Sequence, residues 1–274
     1  MKTKDQVCLE AMRVLVINSK GGSGKTTFAL NVAVPLLLQK GAEVVNYIDV
    51  DIANREALNI QSEVIIPHLW VPEDLKEKRI PRWSVVDVGG NLNALQTLDI
   101  LDKTEKLRRI DLVAIPLAKG EQDAYNALEV YNRLRKFSYE GPIIFVLSQV
   151  VEWKRYEKEF FEFFGFGKIQ GVIEQIPEQD RNIFLMPYSN ELRRVKALYG
   201  LTIYEFLNKN LPRLEEFVQK LYTLEDKLDE LDPNSEEYLN ATQEYELVSD
   251  LIYSIKVLSS LWQEKIKPQL EKLK

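Results

Sequence analysis

The chain has 274 residues, 45% of them hydrophobic, and its 36 Lys and Arg against 42 Asp and Glu give a formal net charge of −6. That apolar content supports a proper core and excludes general disorder, while the lack of any apolar run of about 18 residues, and of an apolar core in MKTKDQVCLE, points to a cytoplasmic protein. One cysteine, Cys8, excludes an internal disulfide, one histidine argues against a dedicated zinc site, and the acidic balance means that any nucleic-acid contact must come from a local basic patch.

Apolar runs suited to buried parallel strands alternate with helical patterns over two thirds of the chain. The expected strands are RVLVINS (13–19), VVNYIDV (44–50), WSVVDV (83–88), DLVAIPL (111–117) and PIIFVLS (142–148), with NIFLMP (182–187) as a further candidate. Helical patterns fall at 25–40, about 92–108, 121–137 and 153–164. Pro35 sits inside the first of these and is expected to kink or shorten it. The fold class is therefore α/β: a doubly wound, mostly parallel sheet whose ligands bind beyond the carboxyl ends of the strands. Residues 59–82, with Pro67, Pro72 and Pro81, read as a short connection, and His68 as a loop-edge residue.

Composition shifts after Pro212. Leu214, Phe217, Leu221, Leu224, Leu228 and Leu231 step by threes and fours, and so do Tyr238, Ala241, Tyr245, Val248, Ile252, Ile255, Ser259, Trp262 and Ile266. DPNS (232–235) supplies a turn with Ser235 as helix cap, which predicts an antiparallel helical hairpin. The expected organisation is a tail (1–10), an α/β domain (11–212) and the hairpin extension (213–274).

The stretch with most chemistry is KGGSGKTT, residues 20–27, between a strand and a helix. Glycines let backbone amides face a phosphate, and the following helix adds its positive end. Gly21, Gly22, Ser23, Gly24, Lys25, Thr26 and Thr27 are thus nucleotide-binding candidates, with Lys25 on the β- and γ-phosphates and the Thr26 hydroxyl on magnesium.

A second lysine, Lys20, precedes the glycines, and KGGSGKTT resembles the deviant Walker A motif of the ParA/MinD family of P-loop ATPases. The resemblance covers roughly residues 12–208. It implies ATP and Mg2+ as cofactors, slow ATP hydrolysis, and a homodimer in the ATP state in which Lys20 reaches the partner's nucleotide. YIDVDIANREAL (47–58) is similar to the family's switch I segment. By that match Asp51 orients the attacking water, and Asp49 is either a supporter of the magnesium shell or a solvated strand-end carboxylate. WSVVDVGG (83–90) is similar to Walker B and switch II, with Asp87 holding magnesium through water and Gly90 offering an amide to the γ-phosphate. Gly89 stands where the family usually has proline or alanine. LMPYSNELRRVKALYG (185–200) is similar to the segment near the adenine, so Pro187 and Tyr188 are base-edge candidates, as are Ser148 and Gln149; strand-end polar residues with no ligand remain the alternative.

The resemblance implies a switch that positions or segregates DNA or another cargo, working with an activator or cargo-adaptor protein. Non-specific DNA binding needs a basic surface, for which Arg193, Arg194 and Lys196 are candidates, alongside Arg133, Arg135 and Lys136, and Lys106, Arg108 and Arg109; each is otherwise a solvated helix face. The alternatives are a MinD-like membrane-associated ATPase and a nucleotide-dependent scaffold with little hydrolysis. Pro268, Glu264 and Glu271 in the C-terminal stripe argue against a membrane anchor.

Overall fold

The computed structural model describes residues 11–50, 60–90 and 92–273. Contacts group the chain into two compact units, Met1–Tyr188 with Gln269–Lys274, and Ser189–Pro268.

In the first unit the strands β1 (Arg13–Val16), β2 (Val45–Val50), β3 (Ile65–Trp70), β4 (Ser84–Val88), β5 (Leu112–Leu117), β6 (Ile143–Val150) and β9 (Ile183–Pro187) form one sheet in the order β3-β2-β4-β1-β5-β6-β9. Every pairing is parallel. β7 (Gly165–Phe166) and β8 (Ile169–Gln170) make a separate antiparallel pair. Near-continuous Val, Ile and Leu runs fit strands covered on both faces, as β1, β4 and β5 are. The α/β sheet is as the sequence implied.

β3 is the departure. Sequence patterning assigned it to a connection because Pro67 and His68 interrupt the apolar run. At the sheet edge a proline costs no ladder bond if its nitrogen faces outward, and β3 is that edge. His68 is correspondingly a strand residue, with its Nε2 3.0 Å from Asn46 Oδ1. Burial, and then the charge of Lys78, holds its imidazole below the ordinary value.

Helix α1 spans 25–39 as α-helix Lys25–Phe28, a π-turn Ala29–Ala33 and α-helix Val34–Gln39. The Val34 amide donates to the Ala29 carbonyl, five residues back. This widened turn lies immediately before Pro35, where it takes the ring away from the carbonyl that it would otherwise meet. The proline therefore neither ends nor shortens the helix. The same device recurs at Pro268, which follows the π-turn Trp262–Ile266.

Helices α2 (Leu92–Lys103) and α3 (Glu121–Lys136) flank the sheet. Ala127, Val130 and Leu134 of α3 are buried in one cluster with Leu15, Val113 and Phe145 of the strands. The helix expected at 153–164 is broken into Tyr156–Glu159 and Phe161–Phe164. The carboxylate of Glu159, the last residue of the first piece, accepts the Val151 amide at 3.1 Å and also the Glu152 amide.

The second unit contains α4 (Asn190–Tyr199), α5 (Ile203–Asn210), α6 (Leu214–Glu230) and α7 (Glu236–Leu261). Ser189 caps α4, Thr202 and Glu205 form a capping box on α5, and the Ser235 hydroxyl accepts the Tyr238 amide at 3.0 Å, as the DPNS turn predicts. α6 and α7 run antiparallel, joined across the hairpin by Lys220–Glu244 and Lys227–Glu237. Phe217, Leu224, Ala241, Val248, Ile252 and Ile255 of the two predicted stripes are buried. Among the described residues no helix is long and apolar enough to cross a membrane.

β9, at the opposite edge from β3, is closed by a side chain. The Gln269 amide accepts the Leu185 N–H at 2.8 Å and donates to the Leu185 carbonyl at 2.9 Å, imitating a neighbouring strand. Gln269→Ala leaves both backbone groups without that partner and is expected to cost about 1–3 kcal/mol, read as a lower thermal midpoint. An unchanged midpoint would show that this edge needs no cover.

Candidate nucleotide site

Because the strands are parallel, all their carboxyl ends meet at one rim, and the 20–27 loop leaves β1 there. The loop is clamped on two sides by close contact. A Cβ at Gly24, whose φ is 88°, would lie 2.9 Å from Ser148 Cβ and closer still to its hydroxyl oxygen. Ser148, near the end of β6, donates its hydroxyl to the Ser23 carbonyl at 2.7 Å. A Cβ at Gly90, just past β4, would lie 2.7 Å from the Gly21 nitrogen and 2.9 Å from the Lys20 carbonyl carbon. By contrast, Cβ atoms at Gly21 and Gly22 would meet nothing within 4 Å. The loop is thus backed by protein at Ser23–Gly24 and open at its glycine front, the side on which a phosphate has to approach.

The two lysines are held differently. Lys25 is buried, and its ammonium donates to the Lys20 carbonyl at 2.7 Å. Lys20 sends its side chain the other way, into an ion pair with Asp123. The lysine side chain is 43% exposed and the aspartate wholly buried. Asp123 lies in the first turn of α3 and also accepts the Ala118 amide at 3.2 Å. Its charge therefore has three sources of support: a cation, an amide and a helix N-terminus. The Lys20 backbone is fixed as well, with its amide on Asn18 Oδ1 at 3.3 Å; the Asn18 amide in turn donates to the Pro116 carbonyl at 2.6 Å.

Asp49 and Asp87 are register partners on β2 and β4, so both side chains leave the same face of the sheet. Both are buried, and the Tyr47 hydroxyl donates to Asp87 Oδ2 at 2.7 Å. Tyr47, Asn18 and Asp123 escaped sequence reasoning. Asn18 left a faint signal, as a polar residue ending an apolar run just ahead of the loop. The Lys20–Asp123 pairing spans 103 positions and left none.

Thr26 and Thr27 are half-buried in the first turn of α1. Gln149 is exposed with φ 62°, at the point where the β6–β9 register shifts. Pro187 is buried at the end of β9, and Tyr188 is half exposed beside it. Asp51 lies outside the described residues.

The basic clusters sort by what they already hold. Arg133 grips Asp99 through two nitrogens at 2.7–3.0 Å, and Arg135 pairs with Asp180 at 2.9 Å. Lys106 donates to the carbonyls of Leu75, Lys76 and Lys78, and burial, then Arg109, lowers its ammonium below the ordinary value. Arg194 pairs with Asp250, Lys196 is half-buried, and Arg193 is exposed.

Gly90→Ala forces the loop backbone to move, so it is expected to weaken binding of a fluorescent ATP analogue at least about tenfold (about 1.4 kcal/mol) with the fold intact. Unchanged affinity would mean that the loop accommodates the methyl.

Residues 12–61 match the family model described as "MipZ: ATPase MipZ". No curated protein matches the chain. Among solved structures, a candidate plasmid partition protein from Borrelia burgdorferi bound to AMPPNP aligns at 18% identity over 66% of this chain and 89% of its own, with a TM-score of 0.40. The MinC:MinD cell division protein complex of Aquifex aeolicus aligns at 15% identity over 73% and 89%, TM-score 0.47. Apo McdA from Cyanthece aligns at 16% identity over 71% and 92%, TM-score 0.46. KGGSGKTT thus leaves the first strand of a parallel α/β sheet, and the segment that carries it is similar to the MipZ ATPase family model.

Proposed function

We propose that the chain is an ATP-dependent dimerising switch that hydrolyses ATP slowly to position or segregate DNA or another cargo. The observation that carries this reading is the division of labour between the two lysines. Lys25 is folded back on its own loop, on a carbonyl that it can leave when a phosphate arrives. Lys20 takes no part in its own loop's front and keeps a half-exposed ammonium on the rim. A lysine so placed suits a nucleotide held by a second copy.

The fit to Mg-ATP rests on the donor set: an open glycine front, a helix N-terminus, two cations and two buried carboxylates on one face of the sheet. Magnesium, when bound, would supply positive charge against the phosphates. Thr26 would supply its hydroxyl ligand, Asp87 and Asp49 would hold its waters, and Tyr47 fixes the Asp87 carboxylate. Gly90 sets the loop against the end of β4, and Asp51 is assigned the in-line water. Ser148, Gln149, Pro187 and Tyr188 are assigned to the adenine side. The exposed Tyr222 and Leu247 of the hairpin support residues 213–274 as the arm for an activator or cargo adaptor.

Lys20→Ala is expected to keep ATP binding within about threefold but to abolish the ATP-induced dimer, measured by sedimentation, and with it turnover. An ATP dimer that persists in this variant overturns the reading. The same substitution strips the buried Asp123 of its cation, at a cost of about 1–3 kcal/mol. Adding Asp123→Asn should restore the thermal midpoint without restoring dimerisation.

A further inference from the structure

Tyr47 stands two residues before Asp49 on β2, so its ring leaves the same face of the sheet as both acids. Its register partner on β4 is Val85, two residues before Asp87. The ring therefore leans one step along the sheet, toward the carboxyl rim, for its hydroxyl to reach Asp87 Oδ2 at 2.7 Å. β2 is paired on both sides, by β3 and β4, and Tyr47 has no exposed surface. A phenylalanine would fill the same space with nearly the same shape. What the tyrosine adds is this one donated hydrogen bond, made to a carboxylate that is itself only 3% exposed.

The oxygens gathered at this rim do not by themselves select a cation. Two buried carboxylates in register, with the Thr26 hydroxyl at the start of α1, make an oxygen-rich donor set. Calcium takes about six to eight oxygens in a flexible shell and accepts a carboxylate through both of its oxygens. Magnesium demands a near-ideal octahedron, gives up water reluctantly, and meets carboxylates singly or through its waters. The Tyr47 hydroxyl bears on that difference directly. With Oδ2 held, Asp87 can offer both oxygens to an ion only if the hydrogen bond breaks, which leaves a buried hydroxyl without its acceptor. The loss falls on calcium. A magnesium ion held through water does not incur it.

We propose that Tyr47 sets the metal specificity of this site: by holding Asp87 Oδ2, its hydroxyl bars two-oxygen coordination and so favours hydrated magnesium over calcium. Tyr47 is a positioning residue, because it acts on the ion through Asp87. Its own place is fixed by the sheet, in a strand with neighbours on both sides, so the hydroxyl cannot follow the carboxylate if that turns toward a larger ion. Selection of this kind works by penalising the wrong ion and needs no extra contact with the right one. The inference rests on the reading of this rim as a site for ATP with magnesium, and it deepens that reading by naming what keeps calcium out.

The test is equilibrium binding of a fluorescent ATP analogue to the full chain, in saturating magnesium, in saturating calcium and in EDTA. Wild type is expected to bind the magnesium complex at least about tenfold more tightly than the calcium complex, the worth of one buried hydrogen bond. Tyr47→Phe should bring the two complexes within about threefold of each other, chiefly by tightening the calcium complex, and leave metal-free binding within about twofold of wild type. A role confined to packing would weaken all three alike and keep the ratio. The proposal is overturned if wild type binds the two complexes equally, or if Tyr47→Phe keeps the wild-type ratio. It is also overturned if the variant loses its cooperative thermal melt, which would make the hydroxyl a requirement of the fold. Wild type that binds no analogue under any of the three conditions overturns the nucleotide reading and this inference with it. Binding that is present but indifferent to the cation overturns this inference alone.

Discussion

The close approach of three backbone segments at the sheet's carboxyl rim is the constraint on which the site depends. Gly90 after β4 abuts the Lys20–Gly21 peptide, and the Ser148 side chain from β6 fills the space beside Gly24. Neither contact tolerates a larger group at the glycine. The loop can therefore hold its shape with no ligand present, and the entropy of ordering it is spent during folding instead of at binding. Parallel pairing is what allows this, because it delivers β1, β4 and β6 to the same end of the sheet.

That rigid frame carries a charge arrangement which is poised without being strained. Lys25 and Lys20 begin only five residues apart, yet their ammonium groups are turned apart, one to a backbone carbonyl and the other to a buried carboxylate. The Asp123 charge is supported from three directions, so loss of the lysine weakens that support without removing it. An ion pair of this sort is easier to exchange than one in which the cation is the sole support.

The opposite end of the sheet follows a different logic. There, among the described residues, Arg79, Arg82, Arg108 and Arg109 hold no carboxylate, while Arg133, Arg135 and Arg194 each hold one. Sorting basic residues by what they already hold separates structural cations from available ones far better than counting them does.

How much was legible depended on the range of the interaction. Continuous apolar runs disclosed six strands, and the 3–4 spacing disclosed both arms of the hairpin, because burial on one face imposes a local period. The β3 strand escaped because Pro67 is compatible with an edge and with nothing deeper, and local patterning does not say which strand will be the edge. Pro35 and Pro268 looked like helix breakers, and only the backbone shows π-turns taking up the ring. KGGSGKTT declared its chemistry alone, since glycines, a lysine and a threonine at that spacing, between a strand and a helix, already specify an amide cradle at a helix start. The sequence by itself thus determined the sheet class, the phosphate loop and the hairpin, all consequences of periods and spacings within about 20 residues. Tertiary structure decided the partner of Lys20, the Tyr47 hydroxyl on Asp87, the Gln269 cover of β9 and the gathering of Arg13, Arg79, Arg82 and Arg109. Those contacts join residues that only strand order and register bring together, and neither is encoded in any local stretch of the chain.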